Sequence, residues 1–407
     1  MFTFPPRLFS WPLPPVPLIF NIVTAEIPRT MRAVVYRGIN DLRLETLPVP
    51  RIRSDELLVK VAACGVCPTD IKKIQYGTVS PPRVFGHETA GTIVRLGARV
   101  RGFRVGDRVA LHHHVPCLDC HACRHRSFAQ CAQYKRTGIT AGFEPAGGGY
   151  AEYVRVMRFV LPGVVKIPAR NTFVEGAMQE PVNTVLKAVK RLNLLRGDAV
   201  LVAGQGPIGL VFTRLLALQG LKVIATDFLS SRLEIARQWG ATRVFNPKEP
   251  DQLRHGVPPS GGKAPTNTTP RSTLHPPRSS GVLNEIVDRL TRGRGLDAAV
   301  LAVPSDEAMT EAQSLLRGGG QLLLFAHTRR GTLTKLDLSN VCVDEKDIFG
   351  SYSADFTLQK EVARLVLSRR LDIRPLITHE FALEKTAEAI ELAAHPQPGA
   401  LKVMVRP

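Results

Sequence analysis

Hydrophobic residues change their spacing twice along this chain. From Met31 the pattern is short and extended: Met31-Arg32-Ala33-Val34-Val35-Tyr36 reads as a strand. Similar short runs continue to about Glu180, punctuated by Gly65, Gly86, Gly91, Gly97, Gly102 and Gly106. Short strands separated by glycine turns predict a partly open antiparallel barrel. From Pro181 to about Phe325 the period lengthens. A helix is expected from Asn183 to Leu195, then an apolar strand Ala199-Val200-Leu201-Val202-Ala203, a glycine turn, a helix from Leu210 to Gln219 and a strand from Lys222 to Thr226. After an interruption come a helix beginning at Val282 and a strand from Leu296 to Val303. Buried strands alternating with helices predict an α/β domain with a doubly wound parallel sheet. After about His327 the elements are short and mixed again, as expected of a tail that packs back on the first domain. The division this implies is an N-terminal extension over 1–30, the barrel over 31–181, the α/β domain over 182–328 and the returning segment over 329–407.

Two stretches break the pattern. Met1 to Thr30 carries prolines at 5, 6, 12, 14, 15, 17 and 28. Pro12, Pro14, Pro15 and Pro17 interrupt the continuous apolar centre that a signal peptide needs. The segment reads as a disordered extension, or as translation assigned from too early a start, with Met31 the natural first residue. Residues 251–280 mix Pro258, Pro259, Pro265, Pro270, Pro276 and Pro277 with Gly, Ser, Thr and basic residues. Such a segment buries too little apolar surface to offset chain entropy. It reads as a disordered insertion rather than a linker between domains, because the α/β alternation resumes after it.

Composition narrows the class. Of 407 residues, 44% are hydrophobic and 22% charged, ordinary proportions for a globular protein with two domains. No long apolar run escapes interruption by a proline or a charge, so no membrane span is expected. The formal charge of +19 raises nucleic-acid binding as a function class. The basic residues are scattered, however, and no nucleic-acid-reading motif accompanies them. A basic surface that also attracts an anionic dinucleotide is the preferred reading. Seven cysteines, most of them placed where a metal would use them, fit a reducing compartment and a cytoplasmic location.

Three constellations carry chemistry. Cys117, Cys120, Cys123 and Cys131 follow C-x2-C-x2-C-x7-C. Four thiolates gathered by tight loops make a closed tetrahedral site for Zn²⁺ with no position for substrate, hence a structural clip. Disulfides are the alternative, disfavoured because cysteines so closely spaced bridge one another only with strain. Gly204-Gln205-Gly206-Pro207-Ile208-Gly209 is G-x-G-x-x-G between a strand and a helix. Gly204 permits the turn, Gly206 lets backbone approach a pyrophosphate, and Gly209 lets helix and strand pack closely. Asp227, at the end of the next strand, suits the ribose hydroxyls of NAD and would repel the 2′-phosphate of NADP. The third constellation is dispersed: Cys67, the pair His87-Glu88, and Glu180 before Pro181. One thiolate, one imidazole and one or two carboxylates form an open zinc site with room for water or an alcohol oxygen. Each residue alone would more often be core filler, and Cys64 competes with Cys67 for the thiolate role; Cys67 is preferred because Thr69 and Asp70 follow it.

Taken together, Cys67-x-Thr69-Asp70, Gly86-His87-Glu88-x2-Gly91-x5-Gly97-x2-Val100, Gly106-Asp107-Arg108-Val109, the four-cysteine lobe and the glycine fingerprint resemble the zinc-dependent medium-chain alcohol dehydrogenases. Glu180-Pro181, His114-Val115-Pro116-Cys117, Gly350-Ser351-Tyr352 and Leu376-Ile377-Thr378-His379 are similar to the sorbitol or L-iditol 2-dehydrogenase branch. The resemblance implies a GroES-like barrel as catalytic domain beside a Rossmann domain, two zinc ions per chain, and NAD. It implies catalytic zinc on Cys67 and His87, with Glu88 or Glu180 as the further ligand, and proton relay through Thr69. Asp70 would orient a ligand. Contacts to NAD would fall to Gly204, Gly206, Pro207, Ile208, Gly209, Asp227 and Arg232.

Two departures stand out: Pro68 occupies a position where some relatives have a basic residue on the pyrophosphate, and Lys72 one where relatives often have a histidine ending the relay. The expected activity is reversible hydride transfer between a polyol or secondary alcohol and NAD. An amino acid such as threonine or an amino-cyclitol is the alternative substrate, and a basic zinc-containing nucleic-acid binder the distant one. His112, His113 and His114 either reach a polar substrate pocket or lie on a solvated loop. Relatives imply a homodimer or homotetramer.

Overall fold

The computed structural model describes residues 26–112, 115–137, 147–249, 281–326, 331–334 and 336–407. The expected insertion at 251–280, nearly all of the N-terminal extension, and His113 and His114 lie outside them. Two layers of chemistry-bearing structure emerge, a barrel and a parallel sheet, each with its own core.

The barrel begins with hairpin β1 (Thr30–Gly38) and β2 (Asp41–Pro48), in which Thr30 faces Pro48 and Tyr36 faces Leu42. Ile27 already packs against this core, ahead of the expected start at Met31. β3 (Leu57–Gly65) runs through Val66 and Cys67 into α1 (Pro68–Tyr76). The proline at the first helical position needs no N–H partner, and Gly77, at φ 62°, closes the helix. β4 (Arg83–Val84) pairs with β1, and β5 (Glu88–Leu96) pairs antiparallel with β3. β6 (Arg108–Leu111) precedes the cysteine lobe, which holds α2 (His121–Arg124) and α3 (Ala132–Thr137). β7 (Tyr153–Val156) returns to β3, and β8 (Val165–Lys166) pairs with β6.

α4 (Phe173–Ala177) and α5 (Gln179–Val189) lead out of the barrel. α5 starts before the expected Asn183 because Pro181 sits in its first turn, where a missing N–H is harmless. It also ends before Leu195.

The second domain alternates β9 (Ala199–Ala203), α6 (Pro207–Leu218), β10 (Lys222–Thr226), α7 (Ser230–Gln238), β11 (Arg243–Phe245), α8 (Val282–Thr291), β12 (Leu296–Leu301), α9 (Asp306–Leu315), β13 (Leu316–Leu324), α10 (Leu338–Cys342) and β14 (Asp347–Gly350). The six strands are parallel in the order β11-β10-β9-β12-β13-β14. That is the Rossmann order, with its switch point between β9 and β12, where ligands bind in open α/β sheets. β9 and β12 are buried along their whole length; β9 reads as a continuous apolar run, and β12 does so apart from Asp297, which pairs with Arg294 and Arg317.

The tail supplies α11 (Gln359–Leu367), β15 (Ile377–Ala382), α12 (Thr386–Ala394) and β16 (Lys402–Arg406). β16 pairs with β3 at Met404–Gly65 and Val405–Cys64, in the sheet order β15-β16-β3-β5-β6-β8.

Glu175 fastens this return. Its carboxylate caps α4 by accepting from Thr172 N at 2.7 Å, and also accepts from Asn171 Nδ2 at 3.0 Å and Arg369 Nε at 2.9 Å. Burial alone would raise its pKa, but Arg369 and the Thr172 and Asn171 donors outweigh that and hold it at about 2. A carboxylate depressed in this way stabilises the fold above its ordinary value of 4.5 and loses the contribution as pH falls from there towards about 2. Glu175→Gln is expected to cost on the order of 2–3 kcal/mol at neutral pH and to flatten the acid limb of stability, read by urea titrations across that range.

Candidate active-site cleft

Two chain connections bring the converging ligands together. Cys67 caps α1 at its N-terminus. His87 and Glu88 stand at the entrance to β5, across from the end of β3, where Gly65 faces Glu88. A side chain at Gly65 would collide with the Glu88 carboxylate, so glycine is required for this approach. The donor atoms of Cys67, His87 and Glu88 lie within 4.8 Å of one another. A sulfur, an imidazole nitrogen and a carboxylate oxygen at that spacing suit Zn²⁺.

Cys64 is elsewhere: it is fully buried in β3 against Thr89 Oγ1 at 3.5 Å, and burial pushes its thiol up to about 12. Asp70, wholly buried in the first turn of α1, meets His87 Nδ1 at 3.2 Å, which leaves Nε2 as the ring nitrogen for a metal. Burial opposes charge on both groups, but their mutual attraction lowers Asp70 and, with the Cys67 thiolate, raises His87.

Glu180 sits in the first turn of α5, buried, near this cluster but outside the trio of converged donors. Burial pushes its carboxyl up to about 7; Glu88 adds to the rise, while His87 and Lys402 oppose it.

Lys402 was not anticipated. It is buried in β16, bonds to Val66 O at 2.8 Å and pairs with the Glu88 carboxylate. Burial disfavours its charge, yet Glu88 and Cys67 hold its pKa above the ordinary lysine value. The available signal was a lysine inside the apolar run Leu401-Lys402-Val403-Met404-Val405.

The four cysteines of the lobe also meet. Cys117–Cys123, Cys120–Cys123 and Cys117–Cys131 sulfurs are 3.8, 3.5 and 3.6 Å apart. A tetrahedral Zn²⁺ with bonds of about 2.3 Å would set its sulfurs about 3.8 Å apart, whereas a disulfide requires about 2.05 Å. All four thiols are free. Cys117 N donates to Cys131 Sγ and Cys120 N to Cys117 Sγ, both at 3.4 Å. Backbone donors from Asp119 and Cys120 lower the Cys117 thiol to about 6.

The cluster opens into a cleft of about 850 Å³ between the domains. Cys67, Thr69, Lys72, His87, Glu88 and Glu180 line one side. Pro207, Ile208 and Val211 of α6 line the other, with Ala302, Phe325 and Ser351–Ser353 beyond the strand ends. Burial lowers the pKa of Lys72, with Cys67 opposing. At the glycine loop, Gly204 holds φ 89°, and a side chain on Gly209 would strike the Gly204 carbonyl. Asp227 closes β10 and is locked by two backbone donors, Gln205 N at 2.6 Å and Leu229 N at 2.9 Å, with Arg232 Nη1 at 3.8 Å.

Tyr134, from α3 of the cysteine lobe, also lines the cleft, and its hydroxyl bonds to Ser353 Oγ. The adjoining Phe128–Phe356 edge contact at 5.6 Å ties the lobe to the same segment. His112 points away from solvent and meets Gln359 at 3.2 Å, so it is a core residue and not part of the cleft lining. Among the described residues no helix is long and apolar enough to cross a membrane.

A metal-ligand cluster on a barrel, facing the switch point of a Rossmann sheet, is the architecture of a two-domain dehydrogenase. Residues 53–169 match the alcohol dehydrogenase GroES-like domain. Over 391 residues the chain is 30% identical to sorbitol dehydrogenase of Bacillus subtilis, covering 95% of this chain and 99% of that protein. It is 28% identical to D-xylulose reductase A of Aspergillus oryzae, over 87% of this chain and 91% of that protein. Two solved structures, each 25% identical and covering 93% of this chain, are similar throughout. One is an Escherichia coli CFT073 alcohol dehydrogenase, rspB, complexed with NADH, at a TM-score of 0.75 over all of that chain. The other is a Sinorhizobium meliloti protein described as a zinc-binding dehydrogenase and bound to NADP, at a TM-score of 0.76 over 99% of that chain. The chain belongs to the zinc-containing medium-chain alcohol dehydrogenase family.

Removing the Lys402 ammonium strands a buried carboxylate. Lys402→Met is expected to destabilise by about 3 kcal/mol, measured by denaturant unfolding. Adding Glu88→Gln should recover part of the loss, since the two changes share one interaction.

Proposed function

We propose that this protein is a zinc- and NAD-dependent dehydrogenase of polyols or secondary alcohols, with Cys67, His87 and Glu88 as ligands of the catalytic zinc. The observation that carries this reading is the convergence of those three donors in the cleft that the glycine-loop helix also lines. Glu180, close by and pushed towards neutrality, is the alternative carboxylate ligand. The four lobe cysteines hold a second, structural zinc, supported by their sulfur spacing.

Zn²⁺ bound at Cys67 and His87 would polarise a substrate hydroxyl and lower its pKa, and NAD would supply the hydride acceptor. The protein's own residues do the rest. Asp70 orients His87 through Nδ1. Lys402 holds Glu88 in its place on the barrel wall. Thr69, on the first turn of α1, accepts the proton released by the hydroxyl and passes it outward along the helix face that carries Lys72. Gly206 and the N-terminus of α6 receive the pyrophosphate, and Pro207 and Ile208 form the adjoining wall. Asp227 accepts the ribose hydroxyls and makes NAD the preferred dinucleotide; Arg232 lies beside it.

Metal analysis and NADH fluorescence test the site together. Wild type should hold two zinc ions per chain and form NADH from sorbitol, whereas Cys67→Ala should hold one and show at least about a thousandfold lower turnover with an unchanged fold. Normal turnover by Cys67→Ala would refute the assignment. Asp227→Ala should raise kcat/KM with NADP relative to NAD by about tenfold or more. A wild-type enzyme already as active with NADP would overturn the stated preference.

A further inference from the structure

Resting on that reading, we propose that Tyr134 is a positioning residue for substrate: it fixes the turn Ser351–Ser353 of the cleft wall to the cysteine lobe. Both ends of this tyrosine are held. Its backbone N–H donates to Cys131 Sγ, one of the four lobe sulfurs. Its side chain is buried, and the hydroxyl bonds to Ser353 Oγ and donates to the Ala354 carbonyl at 3.4 Å. A phenol has one proton and also accepts, so it can give that proton to Ala354 and accept from Ser353. Burial raises its pKa, with Ser353 opposing and Glu180 adding to the rise. It therefore stays a neutral hydroxyl, within the field of the buried carboxyl at the metal-ligand end.

The turn that Tyr134 grips is over-determined. Ser353 stands at φ 63°, in the left-handed region that is costly for an L side chain, and such strain persists only where the surroundings enforce it. Asn183 and Lys187 stand at i and i+4 on one face of α5. Lys187 Nζ donates to the Tyr352 and Ser353 carbonyls at 2.8 and 3.3 Å. Asn183 donates to the Asp355 carbonyl at 3.0 Å and accepts from Asp355 N at 2.8 Å. Ser351, Tyr352 and Ser353 all line the cleft. Among the described residues the buried Ser351 hydroxyl has no hydrogen-bond partner, and a buried polar group left so calls for an explanation. A polyol hydroxyl in the cleft accounts for it. The dinucleotide lies across the switch point between β9 and β12, whereas β14, which ends at Gly350, is two strands beyond β12, about 10 Å out. The turn therefore belongs to the substrate side of the cleft.

Zinc-loaded wild type, Tyr134→Phe, Ser353→Gly and the double variant are assayed with NAD and sorbitol. Phenylalanine keeps the ring in the lobe core with Cys123, Ala129 and Cys131, and glycine adopts the left-handed turn freely, so each change removes one hydroxyl. Each single variant should raise KM for sorbitol by about tenfold, with kcat within about twofold of wild type. The double variant should be no worse than either, since the two changes share one interaction. The NAD dissociation constant, the zinc content and the melting temperature should stay near wild type. Without substrate, amide exchange at Ser351 and Asp355, whose N–H groups bond to the Leu324 carbonyl and to Asn183, should quicken.

Unchanged KM, or raised KM without faster exchange, overturns the inference and leaves the dehydrogenase reading standing. Variants that weaken NAD binding as much as they weaken use of sorbitol also overturn it, by assigning the turn to the cofactor. A loss of zinc or of melting temperature that accounts for the change in KM overturns it as well, since Tyr134 then only holds the lobe together. No NADH from sorbitol with wild type refutes the dehydrogenase reading on which the inference rests, and the substrate role of Tyr134 with it.

Discussion

Glu88 and Lys402 form a buried ion pair, and much of the cleft depends on it. A carboxylate and an ammonium out of water are tolerated only when each satisfies the other and the remaining hydrogen bonds are made. Here Lys402 also bonds to Val66 O, across a sequence separation of 336 residues. The same lysine therefore joins the last strand to the turn that carries Cys67. The barrel sheet is completed by both ends of the chain, with the α/β domain inserted between them.

The cysteine lobe is less independent than its spacing suggests. Its small core of Cys123, Ala129, Cys131 and Tyr134 is local. Tyr134 nevertheless reaches Ser353, and Phe128 reaches Phe356, on the segment after β14 that lines the cleft from the other domain. That segment is held again from below, where Lys187 donates to the Tyr352 carbonyl at 2.8 Å and Asn183 bonds to Asp355. A metal clip, a helix and a strand end thus brace one wall. In this arrangement the lobe supports the geometry of the cleft as well as its own loop.

Cations and anions are distributed unevenly over the molecule. At the surface, arginines pair with nearby acids and contribute little individually. The residues lining the cleft include Lys72, Lys73, Arg83 and Lys402 on the basic side and Glu88 and Glu180 on the acidic side.

Much of this protein was legible in its sequence. Strand and helix periods marked the barrel, the parallel sheet and the returning tail, because burial imposes those periods directly on residue order. The lobe cysteines and the glycine turn were readable for a related reason: each is a local device whose partners lie within a few residues. The dispersed cluster was legible only as a set of types, Cys67, His87, Glu88 and Glu180, with Cys64 a rival to the preferred Cys67. Tertiary structure separated them. It placed Cys64 inside β3, gathered Cys67 with His87 and Glu88, and set Glu180 nearby. Tyr134 had no local signature as a cleft residue, and Lys402 only that of a lysine inside an apolar run, since their partners are far away in sequence. What neighbours in the chain can satisfy, the sequence determined; what required two distant segments to share a buried charge or a cleft wall, only the folded chain decided.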